Sequence, residues 1–278
     1  MRLGAHVRRR RGGAAGAVEA CRERGAECAQ IFVSNPRGWA PPPIDDDAAA
    51  TFRTEWRASG LWPLVAHAPY LVNIASPNYG FLAKSRALAA RTVRSCDALG
   101  VDMLVLHAGA GGPGEPSAAL QRAATTLRAT AEHTSHVRLL VELMAGTSGA
   151  VASTVSEAAH LLEIAGVEQI GVCLDTCHLF AAGYALDTAA GVAELFVELR
   201  AHELTDRVAL VHANDSMYER GGRRDRHENI GDGSIGVDGW RAILTRPEVS
   251  DLPLVLETPG DAQRQAGDIA FLRRLAEG

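Results

Sequence analysis

The sequence has few aromatic residues and no excess of positive charge, and both shortages narrow the classes of protein it can encode. Aromatic residues make up 5% of the 278 residues while hydrophobic residues make up 47%, so the core must consist mainly of Ala, Val and Leu. The formal net charge of -5 does not indicate nucleic-acid binding by the chain as a whole. A local basic patch remains compatible with such binding, because the local field matters more than the total charge.

Paired cysteines and long apolar segments are also absent from the sequence. The five cysteines are odd in number and form no C-x-x-C pair, which is typical of reduced thiols in a cytosolic protein. No uncharged apolar run is long enough to span a bilayer. The basic run Arg8-Arg9-Arg10-Arg11 is not followed by the apolar segment of a secretory signal. The sequence therefore predicts a cytoplasmic protein without a membrane span.

Short β-rich runs alternate with longer segments of helical period along the chain. The predicted strands are residues 3–7, 28–33, 63–67, 103–107, 138–142, 169–175, 208–213 and 253–257. The predicted helices are residues 14–24, 46–59, 79–99, 117–134, 154–164, 188–203, 237–245 and 261–276. Ser117, Ser153 and Asp187 are the expected N-terminal caps of three of them. This alternation predicts an α/β protein with a closed TIM (β/α)₈ barrel, and an open doubly wound sheet is the alternative. No linker or change of composition divides the chain, so one domain is predicted over residues 1–278.

Polar side chains stand at the ends of most predicted strands. A buried strand should not end in such groups unless something pairs with them. The strand-end residues are His67, His107, Glu142, Asp175, His212 and Glu257, and His178 follows three residues after Asp175. Asp225 and His227 lie in the loop after the seventh strand, where their spacing points them to the same side of an extended chain. In a closed barrel all these side chains converge on the mouth formed by the C-terminal ends of the strands.

This convergence favours a multinuclear metal site. Each of these residues alone is more often a hydrogen-bonded core or rim residue, but several carboxylates packed together resist ionisation without a cation. Imidazole and carboxylate ligands suit zinc, with manganese or iron as further candidates. Cys173 shares a strand face with Asp175, so a thiolate ligand is an alternative. Packing of Cys173 and Cys177 as small apolar side chains is the preferred interpretation.

Longer motifs surround these residues. They are Leu174-Asp175-Thr176-Cys177-His178-Leu179-Phe180-Ala181-Ala182-Gly183-Tyr184, His212-Ala213-Asn214-Asp215-Ser216 and Asp225-Arg226-His227-Glu228-Asn229-Ile230-Gly231-Asp232-Gly233. Three shorter segments agree with them: Gly4-Ala5-His6-Val7, His67-Ala68-Pro69-Tyr70 and Leu256-Glu257-Thr258-Pro259-Gly260. Together these segments resemble the endonuclease IV family of apurinic/apyrimidinic (AP) DNA repair endonucleases, and the resemblance covers nearly the whole chain.

The resemblance implies a TIM barrel with three zinc ions, with Mn²⁺ possible at one site. His67 and His107 would hold the first ion, and Glu142 would bridge the first and second. Asp175, His212 and Glu257 would complete the second, and His178, Asp225 and His227 would hold the third. Glu142, Glu257 and His107 are the expected catalytic residues. His6, at the end of the first strand, is expected to support a ligand rather than to be one.

The implied activity is hydrolysis of double-stranded DNA at the phosphodiester 5′ to an abasic site. The products would be a 3′-hydroxyl and a 5′-deoxyribose phosphate, and 3′-blocking groups would be removed by the same chemistry. Bound metal ions would neutralise the phosphodiester and lower the pKa of water. A monomer without protein partners is the family expectation.

The same resemblance indicates how DNA would be held. Arg37, in the loop after the second strand, matches a residue that enters the base stack, and Tyr70 and Leu71 match a second probing loop. Arg226 belongs to a basic run with Arg220, Arg223 and Arg224 that would bind phosphates.

Two segments depart from the family pattern. Leu143-Met144 stands where a small polar residue usually follows Glu142, and Arg8-Arg9-Arg10-Arg11 replaces a Ser- and Gly-rich turn. Neither departure removes an expected ligand.

Two other functions are compatible with the same barrel. One is a metal-dependent sugar isomerase or epimerase of the xylose-isomerase-like type, which needs fewer ions and neither an Asp225–His227 pair nor an Arg37 wedge. The other is a non-catalytic damage-binding protein in which zinc is structural. Metal content separates the first from a nuclease, and cleavage of an abasic duplex separates the second.

Overall fold

The computed structural model describes residues 1–8, 13–40, 45–112 and 114–277. The strands in this part of the chain are β1 (Arg2–His6), β2 (Cys28–Ile31), β3 (Leu64–His67), β4 (Met103–His107), β5 (Arg138–Glu142), β6 (Gly171–Asp175), β7 (Val208–His212), β8 (Asp215–Ser216), β9 (His227–Glu228) and β10 (Pro253–Leu256). Strands β1 to β7 run in sequence order around a parallel barrel, and β10 closes it between β7 and β1. The predicted closed barrel is confirmed, and the open doubly wound sheet is excluded.

Helices cover the outside of the barrel. In the described residues they are α1 (Ala14–Arg24), α2 (Asp46–Ala58), α3 (Tyr79–Leu99), α4 (Pro116–Ala131), α5 (Val155–Ala165), α6 (Thr176–Ala182), α7 (Ala189–Ala201), α8 (Gly236–Leu244) and α9 (Ala262–Ala276). The predicted helices are confirmed to within a few residues at their ends. The prediction missed α6, which follows β6 directly, and the antiparallel ribbon of β8 and β9. The single domain over residues 1–278 stays a prediction.

The helix caps lie close to the predicted positions but on other residues. Thr154 and Thr188 cap α5 and α7 through their side chains, which accept from backbone N–H groups three residues on. Ser153 and Asp187 had been expected there. Helix α4 begins at Pro116, before the expected cap Ser117. Threonine oxygens can reach the free N–H groups of a first helical turn as well as serine or aspartate can, so neighbouring cap-forming residues are not distinguished by sequence alone.

The core has two parts. Outside the strands, the helices pack on a large cluster dominated by Ala, Val and Leu, as the composition predicts. Inside the barrel, a separate apolar layer contains Val65, Val105, Leu140 and Val255. Gly4 completes this layer, because a Cβ there would lie 2.3 Å from the Cys28 carbonyl oxygen. The inner layer closes the barrel beneath its C-terminal mouth, so polar groups at the mouth rest on a floor that excludes water.

Among the residues that the structure describes, no helix is both long enough and apolar enough to cross a membrane.

Candidate metal centre

Each barrel strand places one polar side chain at the C-terminal mouth. Because alternate residues of a strand point to the same face, these side chains share the inward face with the apolar inner layer. They are His6, Gln30, His67, His107, Glu142, Asp175, His212 and Glu257, the last directly after β10. The parallel register sets His107 beside Glu142 and Asp175 beside His212. The mouth is therefore a polar ring above an apolar floor.

Glu142 lies at the centre of the ring and is 1% exposed. Its Oε2 is 3.1 Å from His67 Nε2 and 3.0 Å from His107 Nε2, and its Oε1 is 3.1 Å from His212 Nδ1. His67 Nδ1 donates to the Ala68 carbonyl at 2.7 Å, so in the neutral ring the lone pair is on Nε2, on the side of Glu142. We call His67, His107 and Glu142 the first ligand group.

A second ligand group consists of Glu142, Asp175, His212 and Glu257. His212 Nδ1 is 3.8 Å from Asp175 Oδ2 and 3.6 Å from Glu257 Oε2. Asn214 links the two carboxylate positions, because its Nδ2 donates to Asp175 Oδ2 and its Oδ1 accepts from the Glu257 backbone N–H, both at 2.8 Å.

A third ligand group consists of His178, Asp225 and His227. The two oxygens of Asp225 lie 3.3 Å from His178 Nε2 and 3.2 Å from His227 Nε2. The other ring nitrogens face backbone carbonyls, with His178 Nδ1 3.0 Å from Leu143 O and His227 Nδ1 3.3 Å from Glu257 O. His227 Nε2 is buried, yet it makes no hydrogen bond with any described residue. A buried ring nitrogen without a partner, held beside carboxylates, is what a metal ligand requires.

The local fold of β6 and α6 positions Asp175 and His178 together. Asp175 is the N-cap of α6, and its Oδ1 accepts from the His178 backbone N–H at 2.8 Å. One carboxylate oxygen is thus used by the helix, and the other faces His212 and His227. Because His178 is the third residue of the helix, its side chain turns towards Asp225. The three-residue spacing is therefore that of a helix cap, which the sequence prediction missed.

The third group depends on the long loop between β7 and α8. Strand β9, which carries His227, pairs with β8, which carries Asp215. Asp215 is fully buried and accepts hydrogen bonds from the backbone N–H groups of Ser216, Gly231, Ile235 and Gly236 and from Trp240 Nε1. This buried carboxylate holds the loop in place, and the loop presents Asp225 and His227 to the barrel mouth.

Carboxylates and imidazoles in the site shift each other's protonation. Burial raises the pKa of Glu142, but the imidazoles of His107 and His212 outweigh it and hold that pKa well below its usual value. Burial lowers the pKa of His227, but the adjacent Asp225 carboxylate and the charge of Asp175 raise it to about 9. Burial also lowers the pKa of His178 and His212, but neighbouring acidic groups outweigh it and raise both well above the usual value. When no metal ion is bound, protonated imidazoles therefore provide the positive charge that stabilises the ionised carboxylates.

The donor set fits divalent metal ions. Within each of the three groups, the candidate ligand atoms lie within 4.8 Å of one another. Imidazole nitrogens and carboxylate oxygens are zinc ligands, and backbone carbonyls orient the rings from behind as they do in metal sites. Burial raises the pKa of the Cys173 and Cys177 thiols to about 12. Both thiols are therefore protonated and packed, although Cys177 Sγ lies near Asp175 and His227.

Two of the four expected DNA-contacting residues line a cleft beside the candidate metal centre. A cleft of about 710 Å³ is lined by Arg37, Tyr70, Arg8 and the two candidate ligands His227 and Glu257. Tyr70 is 60% exposed and packs edge-on against Phe32. The other two expected residues do not line this cleft: Leu71 is half-buried, and Arg226 is exposed before β9.

The rest of the basic run is partly paired within the protein. Arg220 lies 3.2 Å from Asp187, and the Arg224 guanidinium lies over the Tyr218 ring at 4.8 Å. Arg223 and Arg226 are exposed.

The structure accounts for one of the two departures from the family pattern. Leu143 is fully buried, and its contact with His178 is made through the backbone carbonyl. An apolar side chain at this position therefore leaves the contact to His178 intact. In the other departure, Arg8 lines the cleft, and Arg9, Arg10 and Arg11 lie outside the described residues.

Sequence reasoning missed two residues that hydrogen-bond to the candidate ligands. Gln30 is a fully buried polar residue in the otherwise apolar segment of β2, and this contrast was the signal that could have revealed it. Asn214 lies inside a quoted motif, but only the structure pairs it with Asp175 and Glu257. His6 contacts Glu257, with Nδ1 3.3 Å from Oε1, which is the contact that a residue supporting this candidate ligand would make; that role stays a prediction.

Fold and site define a TIM barrel with candidate metal ligands at its mouth, and comparisons with known proteins agree with this class. A family model described as a xylose isomerase-like TIM barrel matches residues 18–275. Probable endonuclease 4 of Methanoculleus marisnigri is 41% identical over 264 residues, 94% of each chain. Probable endonuclease 4 of Streptomyces coelicolor is 38% identical, over 92% of this chain and 89% of that protein. The crystal structure of endonuclease IV from Thermus thermophilus matches with a TM-score of 0.88 and 33% identity, covering 100% of this chain and 99% of the other.

The chain belongs to the endonuclease IV family and is, like that family, a hydrolase. A D-tagatose 3-epimerase-like protein also matches, with a TM-score of 0.75 at 18% identity. That likeness shows the fold alone, so nothing beyond the barrel supports a sugar epimerase.

Proposed function

We propose that this chain is a zinc-dependent DNA repair endonuclease that hydrolyses the phosphodiester 5′ to an abasic site. The products are a 3′-hydroxyl and a 5′-deoxyribose phosphate, and 3′-blocking groups are removed by the same site. The observation that carries the proposal is the meeting of nine imidazole and carboxylate side chains at one barrel mouth, where His227 Nε2 is buried beside two carboxylates without a hydrogen bond to any described residue. Family membership supplies the reaction type.

The three ligand groups would hold three zinc ions, with Mn²⁺ an alternative occupant of one. When bound, such ions neutralise the negative phosphodiester and lower the pKa of water. Glu142 belongs to both the first and the second ligand groups, so it would set their separation. His107 is 24% exposed. It would therefore provide a ligand of the first group on the solvent-facing side of the ring.

Glu257 connects the metal centre with the DNA-facing cleft. It belongs to the second ligand group and also lines the cleft, so a reacting phosphate in the cleft would lie beside it. Burial raises the pKa of its carboxyl, but neighbouring His212 and His6 outweigh burial and hold that pKa below the usual value. Glu257 is therefore ionised at neutral pH and can accept a hydrogen bond from an attacking water. A carboxylate can act in this way when it lies within hydrogen-bond reach of the water proton.

DNA would bind across the cleft beside the metal centre. Arg37 and Tyr70 stand on its walls, where they can enter a duplex already weakened by a missing base. Leu71 would accompany Tyr70 in the same loop, and Arg226 would contact phosphates from the loop that carries the third group. The protein would act as a cytoplasmic monomer without a protein partner, as one domain over residues 1–278.

Incubation with a duplex containing a single abasic site tests this function. We expect a nick immediately 5′ to the site, no cleavage of the matched intact duplex, and loss of the nick after zinc is removed with a chelator. Zinc should be present at close to three ions per chain. A protein that binds the abasic duplex but leaves it uncut would be a damage-binding protein instead. A single exchangeable manganese or magnesium ion with no cleavage would favour the sugar isomerase alternative.

A further inference from the structure

Gln30 hydrogen-bonds to two members of the second ligand group, His212 and Glu257. Its Oε1 is 2.8 Å from His212 Nε2, and its Nε2 is 2.7 Å from Glu257 Oε1 and 3.0 Å from His6 Nδ1. The side chain is fully buried. One amide therefore touches a ligand from β7 and a ligand that follows β10, although its own strand is β2.

The orientation of the Gln30 amide follows from its partners. If the oxygen and nitrogen were exchanged, a carbonyl oxygen would face the Glu257 carboxylate at 2.7 Å, and two acceptors would repel each other. In the observed orientation the amide nitrogen donates to Glu257 and the oxygen accepts from His212. His6 Nδ1 lies within hydrogen-bond distance of both the amide nitrogen and Glu257 Oε1. All the polar contacts of this buried side chain are then satisfied.

This orientation selects one tautomer of His212. Because the Gln30 oxygen can only accept, His212 Nε2 must carry a proton, so in the neutral ring that metal binding requires the lone pair is on Nδ1. Nδ1 is the atom that faces Glu142, Asp175 and Glu257. His67, His178 and His227 are arranged in the opposite way, with Nδ1 on a backbone carbonyl and Nε2 facing the carboxylates. His212 thus has a side-chain amide where the other rings have a backbone carbonyl.

We propose that Gln30 is a positioning residue for the second ligand group. It holds His212 in the Nε2–H tautomer and holds Glu257 by Oε1, so that His212 Nδ1 and Glu257 Oε2 both face the position between them. The proposal rests on the proposed function only in taking zinc as the occupant. Partners behind a metal ligand typically change metal affinity by about 10- to 100-fold, and Gln30 supports two ligands.

The test compares Gln30→Met with Thr126→Val in the full-length, zinc-loaded protein. Each substitution keeps a similar side-chain volume but removes the side-chain hydrogen bonds. Thr126 is the control, because it is also buried but lies on α4, where it hydrogen-bonds to the Arg122 carbonyl and the Arg86 side chain. Zinc per chain is measured by mass spectrometry after dialysis against increasing chelator. We expect Gln30→Met to lose one ion at a chelator concentration about 10- to 100-fold lower than wild type, and Thr126→Val to behave as wild type.

A second measurement does not depend on whether Gln30→Met folds. Long-range ¹H–¹⁵N spectra of the zinc-loaded wild type report which nitrogen of each histidine is protonated, and the His212 signal is identified by its loss in His212→Asn. Four candidate zinc-binding histidines have a hydrogen-bond partner on the ring nitrogen that faces away from the site: His67, His178, His212 and His227. Among these four, we expect only His212 to carry its proton on Nε2. A proton on His212 Nδ1 would overturn the proposal.

The outcomes separate this inference from the proposed function. If wild type holds zinc but Gln30→Met releases it no more easily than Thr126→Val, Gln30 has no positioning role and the proposed function stands. If wild type holds no zinc, the proposed function fails and this inference fails with it.

Discussion

At the scale of the residue, the site is defined by the nitrogen or oxygen atom of each side chain that remains available to bind a metal ion. Backbone carbonyls engage Nδ1 of His67, His178 and His227, so Nε2 of each ring faces the carboxylates. Asp175 uses one oxygen to cap α6 and keeps the other for the site. These hydrogen bonds reduce the rotational freedom of the ligand side chains before any ion binds, which favours binding because less entropy is lost.

Replacement of the central carboxylate should remove activity without unfolding the barrel. In Glu142→Gln the volume is kept, but the negative charge shared by the first and second ligand groups is lost. Loss of a residue that hydrogen-bonds to a metal ligand typically lowers activity by up to about 100-fold. We expect the cleavage rate of Glu142→Gln on an abasic duplex to fall by more than this. Circular dichroism should remain that of the wild type. Glu163→Gln on the exposed face of α5 is the control, and full activity in Glu142→Gln would exclude the assigned role.

Replacement of the cleft arginine should affect DNA recognition alone. Arg37 lines the cleft but belongs to none of the ligand groups, so Arg37→Ala should keep its zinc. We expect binding to an abasic duplex to weaken by about 10-fold or more, the effect of losing one base-contacting arginine. Arg57→Ala, at the C-terminal end of α2 on the opposite side of the barrel, should bind as wild type does. Equal affinities of Arg37→Ala and wild type for abasic DNA would exclude the wedge.

At the scale of the element, the loop between β7 and α8 contributes most of the third ligand group. Its two-residue strands β8 and β9 are too short to be stable alone, since an isolated ribbon is at best marginally stable. The Asp215 carboxylate joins the loop, β8 and α8 through its hydrogen bonds. Gly233 passes so close that a Cβ there would lie 2.4 Å from Asp215 Oδ1. The position of Asp225 and His227 therefore depends on a residue that is not a ligand.

Loss of the Asp215 carboxylate should destabilise the fold and weaken the third ligand group. Asp215→Ala leaves several buried N–H groups without an acceptor, and each hydrogen bond to a charged group contributes about 1.5–3 kcal/mol. We expect a loss of about 3 kcal/mol or more in the free energy of unfolding, measured by urea denaturation, and easier release of one zinc ion. Asp238→Ala, an exposed residue of α8 paired with Arg241, should change stability by less than about 1 kcal/mol. Similar stabilities of the two variants would contradict this account of the loop.

At the scale of the whole molecule, the site couples stability to pH and to metal. In the metal-free protein the pKa of His227 is raised to about 9 from 6.5, so its contribution to stability is complete below pH 6.5 and is lost as pH rises through 9. The pKa of Asp225 is lowered from 3.8, so its contribution is present above pH 3.8 and is lost as pH falls further. Metal binding requires neutral imidazoles and has the opposite dependence, because it releases protons.

The melting temperature should therefore respond to pH in opposite ways with and without zinc. Without zinc, we expect it to be highest between about pH 4 and 6.5 and to fall towards pH 9, as the linkage between protonation and folding requires. The difference between the zinc-loaded and metal-free proteins should increase from pH 5 to pH 8. Differential scanning fluorimetry with and without chelator measures both, and His227→Gln should flatten the metal-free decline between pH 6.5 and 9. A metal-free melting temperature that rises over that range would contradict the protonation of these imidazoles.

The sequence by itself determined the barrel and the position of most candidate ligands. Strand and helix periods are local properties, so the eight barrel strands and the helices between them were predictable. The ends of those strands carry His67, His107, Glu142, Asp175 and His212, and parallel strands bring their C-terminal ends to one mouth. The helix α6 and the β8–β9 ribbon were not predictable in the same way, because elements this short contain no periodic signal.

Only the tertiary structure decided how those side chains face each other. The register between β5 and its neighbours sets His107 beside Glu142, and a shift of one residue would point Glu142 away from the mouth. Closure of the barrel by β10 brings Glu257 to Gln30 and His212, which are 227 and 45 residues away along the chain. Contacts between distant strands decide which nitrogen of each histidine ring is available to a metal ion. They also place the Gln30 amide against His212. No pattern within a single strand can specify them.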